Sequence, residues 1–354
     1  MSSPVVYPAR CPKRNRTLNK LVRTIFVFAF AVIYTHKVCD FWMATRIRAF
    51  TGEQDHLDRE GVAACDVVIN GYNRDTLLGA LALHYSSMLL VNRVYVNWGN
   101  TKRKPMFLTD LLRTFQLEYK VHVIRRDDDD LNDRFKPVPE LDDHCVIIAD
   151  DDIFVPEEDI ITLHSVWSRY GNSIAGFFPR SHEFVGAERE LTYTGNPKEH
   201  FSMILTKFLM VKNSALSYYT YDIPQAVRTY VSNRNNCEDI ALNFAVSDDD
   251  ANLPVYVRSD RKFDFGSANG LYSRPGHLED RSQCLKDIPR LLGKPLPQYS
   301  HIESTLSGEK RFVPDHFIKY IGWRGYLTTL RLYVCLRTGS DRSLTVQKLR
   351  QILW

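Results

Sequence analysis

Three consecutive acids, Asp150-Asp151-Asp152, follow directly on the apolar run Cys145-Val-Ile-Ile-Ala149. Adjacent carboxylates repel one another unless a cation or ordered donors neutralise them. Mg²⁺ and Mn²⁺ take oxygen ligands, usually one or two protein carboxylates together with substrate phosphate oxygens. An acidic triplet at the end of a buried strand therefore suits a metal–diphosphate site. Asp152 is the expected metal ligand, Asp150 would face the nucleoside, and Asp151 lies between them in role. The competing reading of any such triplet is a solvated turn. Asp127-Asp128-Asp129-Asp130 provides the contrast, because Arg125-Arg126 and no apolar run leads into it. That quartet reads as a solvated loop, with Asn132 and Arg134 just beyond it within reach of a nucleotide.

Other polar groups carry two readings each. Glu238-Asp239 opens the segment Ile240-Ala-Leu-Asn-Phe244, where the acids could cap a helix or serve a site. Arg281 could hold a phosphate or pair at the surface with Asp280 or Glu279, and Arg74 could pair with Asp75. Tyr218, Tyr219 and Tyr221 could line an acceptor groove, but aromatics fill cores more often, and they are left out of the site.

The elements that position these residues alternate. Asp66-Val-Val-Ile-Asn70 reads as a buried strand, and Leu77, Leu78, Leu81, Tyr85 and Met88 mark a helical face after it. Val94–Trp98 is a second strand, Thr109–Leu117 a helix, Val121–Ile124 a third strand and Cys145–Ala149 a fourth. Strand, helix, strand, helix, strand implies an α/β domain with a mainly parallel central sheet flanked by helices. Ligands of such sheets bind beyond the carboxyl ends of the strands, where Arg74, Asn100 and the aspartates would meet.

The 354 residues and 44% hydrophobic content allow one large globular domain with appendages. A net charge of +4 is too modest to argue for nucleic acid, and none is expected as a partner. Lys13, Arg14, Arg16, Lys20 and Arg23 precede the uncharged run Thr24–Thr35. That run of about 12 residues spans only about 18 Å as a helix, short of a hydrocarbon core of about 30 Å. Extended to Trp42 it reaches membrane length with Arg23, Lys37 and Asp40 at the rims. A membrane anchor, a cleaved signal segment and an ordinary helix all remain open, and the basic flank would keep the N-terminus cytosolic. Seven cysteines are too few and scattered for a disulfide framework, though one or two bridges fit an oxidising lumen.

Six segments, in order, resemble the exostosin-like glycosyltransferases, glycosyltransferase family 64: VVINGYNRDTLLGALALHY, LNDRFKPVPE, CVIIADDDI, GFFPRSH, NCEDIALNF and GLYSRPGHLEDRSQC. They cover roughly residues 66–290. The resemblance implies a GT-A fold and a retaining transferase using Mn²⁺, or Mg²⁺, and a UDP- or GDP-sugar. It matches Arg74, Asn100, Asn132 and Arg134 to nucleotide-contact regions and Asp150, Asp151 and Asp152 to the metal-binding motif. It matches Asp239 to the acid beside the reacting sugar and Arg281 to the basic group on the diphosphate, with His277 assisting. It also implies a Cys237–Cys284 disulfide. The surroundings of Gly99-Asn100 and Asp129–Asn132 depart from the animal pattern.

These readings divide the chain into a basic cytosolic tail (1–23), an anchor or signal segment (24–42), a stem (43–65), a single GT-A catalytic domain (66–294) and a basic aromatic extension (295–354). Expected partners are a nucleotide-sugar donor, a glycan or glycosphingolipid acceptor of the inositol phosphorylceramide type, and a Golgi membrane, with the endoplasmic reticulum and a homodimer left open. The extension could lie on lipid headgroups or pack as ordinary helices. Competing readings are a glycosaminoglycan N-acetylhexosaminyltransferase, a non-catalytic sugar- or lipid-binding module, and a nucleotidyltransferase. The last usually opens with a Gly-rich loop, which does not follow Val67-Val68-Ile69.

Overall fold

The computed structural model describes residues 65–137, 145–247, 252–259, 262–266 and 274–305. The alternating half contains β1 (Cys65–Gly71), α1 (Asp75–Ser86), β2 (Val91–Trp98), α2 (Met106–Phe115) and β3 (Val121–Arg125). A 3₁₀ turn, Leu131–Phe135, precedes β4 (Cys145–Asp150) and the short β5 (Ile153–Phe154). Next come α3 (Glu157–Trp167), β6 (Ala175–Gly176), β7 (Pro179–Val185), β8 (Glu190–Thr194), β9 (Met203–Ile204) and β10 (Phe208–Lys212). Then α4 (Asn213–Ser217) runs into a π-helical turn, Tyr218–Asp222, before α5 (Gln225–Arg234) and α6 (Glu238–Val246). The described chain ends with β11 (Val255–Arg258), β12 (Phe263–Asp264), α7 (His277–Leu292) and β13 (Glu303–Thr305).

Eight strands form one sheet in the order β13-β11-β6-β10-β4-β1-β2-β3. Strands β3, β2, β1 and β4 are mutually parallel, whereas β10 runs antiparallel to β4 and β6. The expected mainly parallel α/β architecture is therefore the one the chain adopts. Both faces of β1 and β4 are buried, which is why they read as continuous Val/Ile runs. On one face, Val68, Ile148 and Leu209 meet Val227 and Val231 of α5, Ile240 of α6 and Leu285 and Ile288 of α7 in a single cluster. A three-stranded sheet, β8-β7-β9, and the pair β12-β5 lie outside the main sheet.

Two disulfides hold this frame. Cys237–Cys284 is present as expected, joining the residue before α6 to α7. Cys65–Cys145 joins the first residues of the neighbours β1 and β4, and the sequence reading did not pair them. Both strands begin with Cys, and parallel register places those residues side by side, with Asp66 opposite Val146. The domain also reaches beyond its expected limits, since β1 starts at Cys65 and β13 pairs with β11 in the main sheet. Glu303-Ser304-Thr305 is polar throughout, which hides that short edge strand from a hydrophobicity reading. Among the described residues no helix is long and apolar enough to cross a membrane. The expected anchor (24–42) and most of the C-terminal extension lie outside the described residues.

Candidate active site

The carboxyl ends of β1, β2 and β4 share one register. Asn70 sits opposite Asp150 on one side and Asn97 on the other. Asn97 donates to Asn70 Oδ1 (3.3 Å) and accepts from Arg126 (2.7 Å), so polar side chains line the ends of these strands. Asp75 leaves its own helix and accepts from the backbone N–H groups of Phe107 (2.7 Å) and Leu108 (2.9 Å) at the start of α2. That fixes the loop after β1 and frees Arg74 from the pairing with Asp75 that sequence proximity allowed.

Each member of the triplet has its own surroundings. Asp150 accepts from Arg134 at 3.1 Å. Asp151 pairs with Arg74 and accepts from the Tyr72 N–H at 3.4 Å. Asp152 lies 3.2 Å from Arg74 and 3.9 Å from Lys207 Nζ, and its Oδ1 is buried with no hydrogen-bond partner among the described residues. Burial pushes the Asp150 carboxyl up to about 7, with Arg134 opposing the rise and Asp152 adding to it. Burial also raises Asp151, against Arg74, and Asp152, against Lys207 and Arg74. Two arginines and a lysine thus hold three desolvated acids, and an oxygen of Asp152 is still unmatched. A hard divalent cation is the species such an orphaned carboxylate oxygen fits.

Arg134 joins this cluster to the second one. Its guanidinium donates to Asp150 (3.1 Å), to Glu238 (2.9 Å) and to the Thr206 hydroxyl (2.7 Å). Glu238 is therefore buried against Arg134, and burial raises its carboxyl while Arg134 draws it down. Asp239, 3% exposed, pairs with Arg281, 5% exposed, so neither is a surface group. Arg281 also donates to Asn236 (3.2 Å) and to the Tyr193 hydroxyl (2.9 Å), with its guanidinium 4.3 Å from the Tyr193 ring centre. Its guanidinium is held above its usual value, because Asp239 and Tyr193 outweigh the burial that lowers it. His277, at the first turn of α7, contacts Asn236 at 3.3 Å, and burial with nearby Arg281 lowers its imidazole.

Asn100 and Asn132, the other two residues expected at the nucleotide, make hydrogen bonds within the protein. Asn100 binds Asn73 at 2.7 Å and accepts from the N–H groups of Lys102 (3.0 Å) and Arg103 (3.1 Å), linking the loops after β1 and β2. The Asn132 amide donates to Asp130, the Arg228 carbonyl and Ser232, and accepts from Tyr219 at 2.6 Å. It docks the 3₁₀ turn on α5. Tyr219 is a core residue, whereas Tyr218 and Tyr221 are exposed.

Sequence reasoning missed Lys207, Asp264, Glu238, Asn236 and Tyr193. No local motif marks Lys207. It reaches the site because antiparallel β10 begins where β4 ends, and the Asp150 N–H donates to the Lys207 carbonyl at 3.0 Å. Glu238 was adjacent to a chosen residue and became visible only through Arg134.

Comparison with known proteins completes the assignment. The model of the glycosyl transferase family 64 domain matches residues 65–306. The chain is 32% identical over 257 residues to glycosyltransferase family protein 64 C3 of Arabidopsis thaliana, covering 66% of this chain and 78% of the relative. It is 30% identical to the exostosin-like-3 homolog of Caenorhabditis elegans, covering 64% of this chain but only 27% of that larger protein. It is 26% identical to glycosylinositol phosphorylceramide mannosyl transferase 1 of Arabidopsis thaliana, covering 64% of this chain and 72% of the relative. With the acid-tipped β4 and the buried pair beyond it arranged on a mainly parallel sheet, and this match spanning the whole described fold, the chain belongs to glycosyl transferase family 64 and is a glycosyltransferase.

Proposed function

We propose that this chain transfers a hexose or N-acetylhexosamine from a UDP- or GDP-sugar, with retention and with Mn²⁺ or Mg²⁺, to a glycan or inositol phosphorylceramide-type acceptor. The observation that carries this reading is the Arg134 bridge from Asp150 to Glu238. It fixes the metal-type carboxylates and the Asp239–Arg281 pair as two parts of one wall. When bound, the cation supplies positive charge to the diphosphate leaving group. Arg74 stands beside Asp151 and Asp152 and can place a guanidinium on a phosphate oxygen. Asp239 presents a negative charge where the anomeric carbon becomes oxocarbenium-like, and it can orient the acceptor hydroxyl. Arg281 fixes that carboxylate in place.

The mannosyl transferase relative supports a sphingolipid-type acceptor. Two disulfides and the basic flank before the apolar run at 24–35 support anchorage by residues 24–42 and a lumenal Golgi domain, or one in the endoplasmic reticulum. The test is a hydrolysis screen of UDP- and GDP-sugars with Mn²⁺. Release from one nucleotide class, abolished by chelation, is expected. A folded chain that releases nothing from any donor, with or without acceptor, refutes the reading.

A further inference from the structure

Strand β12 lies antiparallel to β5, with Asp264 opposite Ile153, so a distant segment is laid directly beside Asp152. The Phe265 N–H donates to the Asp152 carbonyl at 2.8 Å and pins it there. Lys207 Nζ stands between the two acids, 2.6 Å from Asp264 Oδ2 and 3.9 Å from Asp152 Oδ1. Gly266 completes the cradle. A Cβ at that position would lie 2.7 Å from Asp264 Oδ1, 3.2 Å from Asp152 Oδ2 and 3.2 Å from Lys207 Nζ. The glycine leaves open the space on which two carboxylates and an ammonium converge.

We propose that Asp264 is a second protein ligand of the divalent cation held by Asp152, and that the cation competes with the Lys207 ammonium for these carboxylates. This rests on the metal-dependent reading above. Lys207 supplies one positive charge to this carboxylate pair and Arg74 is shared between Asp152 and Asp151, whereas a divalent ion would offset both carboxylates directly. Mg²⁺-like ions are held by one or two carboxylates with phosphate oxygens filling the other positions, which this pair allows. The Asp152 oxygen that accepts no hydrogen bond is the atom left for the incoming ion. Lysine suits a displaceable partner, because its flexible stem lets the ammonium withdraw where a forked arginine contact would resist.

The test is a Mn²⁺ titration of the full chain, followed by loss of the free-ion electron paramagnetic resonance signal, alone and with GDP or UDP. Asp264→Asn should weaken Mn²⁺ binding by about tenfold or more, since one of two charged ligands is lost. Lys207→Met should tighten binding of Mn²⁺ without nucleotide. If the parent chain binds Mn²⁺, Asp152→Asn abolishes binding and Asp264→Asn changes nothing, this proposal falls while the metal-dependent reading stands. If the parent chain binds no Mn²⁺ under any of these conditions, both fall. Circular dichroism checks the fold of each variant. Should Asp264→Asn fail to fold, Lys207→Met decides, and unchanged or weaker binding there overturns the proposal.

Discussion

Arg281 and Asp239, 42 residues apart, form a buried charge pair in which each partner still has an unsatisfied polar atom. Asp239 Oδ1 and Arg281 Nε find no hydrogen-bond partner among the described residues. Structural ion pairs usually satisfy such atoms, because a desolvated polar group without a partner costs about 1–3 kcal/mol. The spare oxygen suits a carboxylate that meets a substrate. Asp239→Asn keeps the shape and removes the charge. It should spare nucleotide binding, measured by calorimetry with Mn²⁺, and lower turnover by at least about a hundredfold. Intact turnover would remove Asp239 from the mechanism.

Asp152→Ala removes the carboxylate with the orphaned oxygen. Metal-dependent binding of GDP or UDP should disappear in calorimetry while the far-ultraviolet circular dichroism stays unchanged. Nucleotide binding that persists and still responds to Mn²⁺ would place the cation elsewhere.

Arg134 is the brace between the two clusters, and its removal leaves Asp150 and Glu238 buried without their shared partner. Breaking a buried pair in this way costs about 3–5 kcal/mol. Arg134→Met should lower the unfolding free energy by that order in urea titrations. A change within about 0.5 kcal/mol would mean that the carboxylates find other donors.

Both bridges should appear in non-reducing peptide mapping as Cys65–Cys145 and Cys237–Cys284. The first closes a loop of 80 residues, for which loop-closure entropy gives about 4.5 kcal/mol. Replacing both of its cysteines by serine should lower stability by up to that amount. Free thiols at Cys65 and Cys145 in the chain purified without reductant would contradict the pairing.

His182 is buried against Tyr299, with ring centres 4.4 Å apart, and its Nδ1 lies 2.8 Å from the Ser202 hydroxyl. Burial, with His200 adding to it, lowers its imidazole to about 4 from the usual 6.5. The unfolded chain then takes up a proton that the folded chain refuses. Stability from this site is complete above pH 6.5 and is lost as pH falls toward 4, by roughly 3 kcal/mol in all. Asp150 works in the opposite sense, since burial raises it to about 7. The readout is therefore the difference between parent and His182→Gln in urea titrations from pH 7 to 4. That difference should shrink as the pH falls, and a constant difference would count against the shift.

What the sequence determined was whatever local chemistry writes down. The Val/Ile runs of β1, β2 and β4, the helical faces between them and the acids ending β4 are all short-range patterns, and they placed the parallel half and the metal-type carboxylates. Six ordered segments carried the family. Tertiary structure decided who meets whom. Lys207 reaches Asp152 only because β10 runs antiparallel beside β4, and Asp264 only because β12 folds back on β5. Arg134 meets Asp150 and Glu238, and Asn132 meets α5, because buried polar atoms must be paired wherever the packing offers a partner. Cys65 found Cys145 through strand register, a relation between positions 80 residues apart that no local pattern encodes. Periodicity reports which face of an element is buried, whereas pairing across the fold depends on strand order and register, which arise only once the whole sheet has formed.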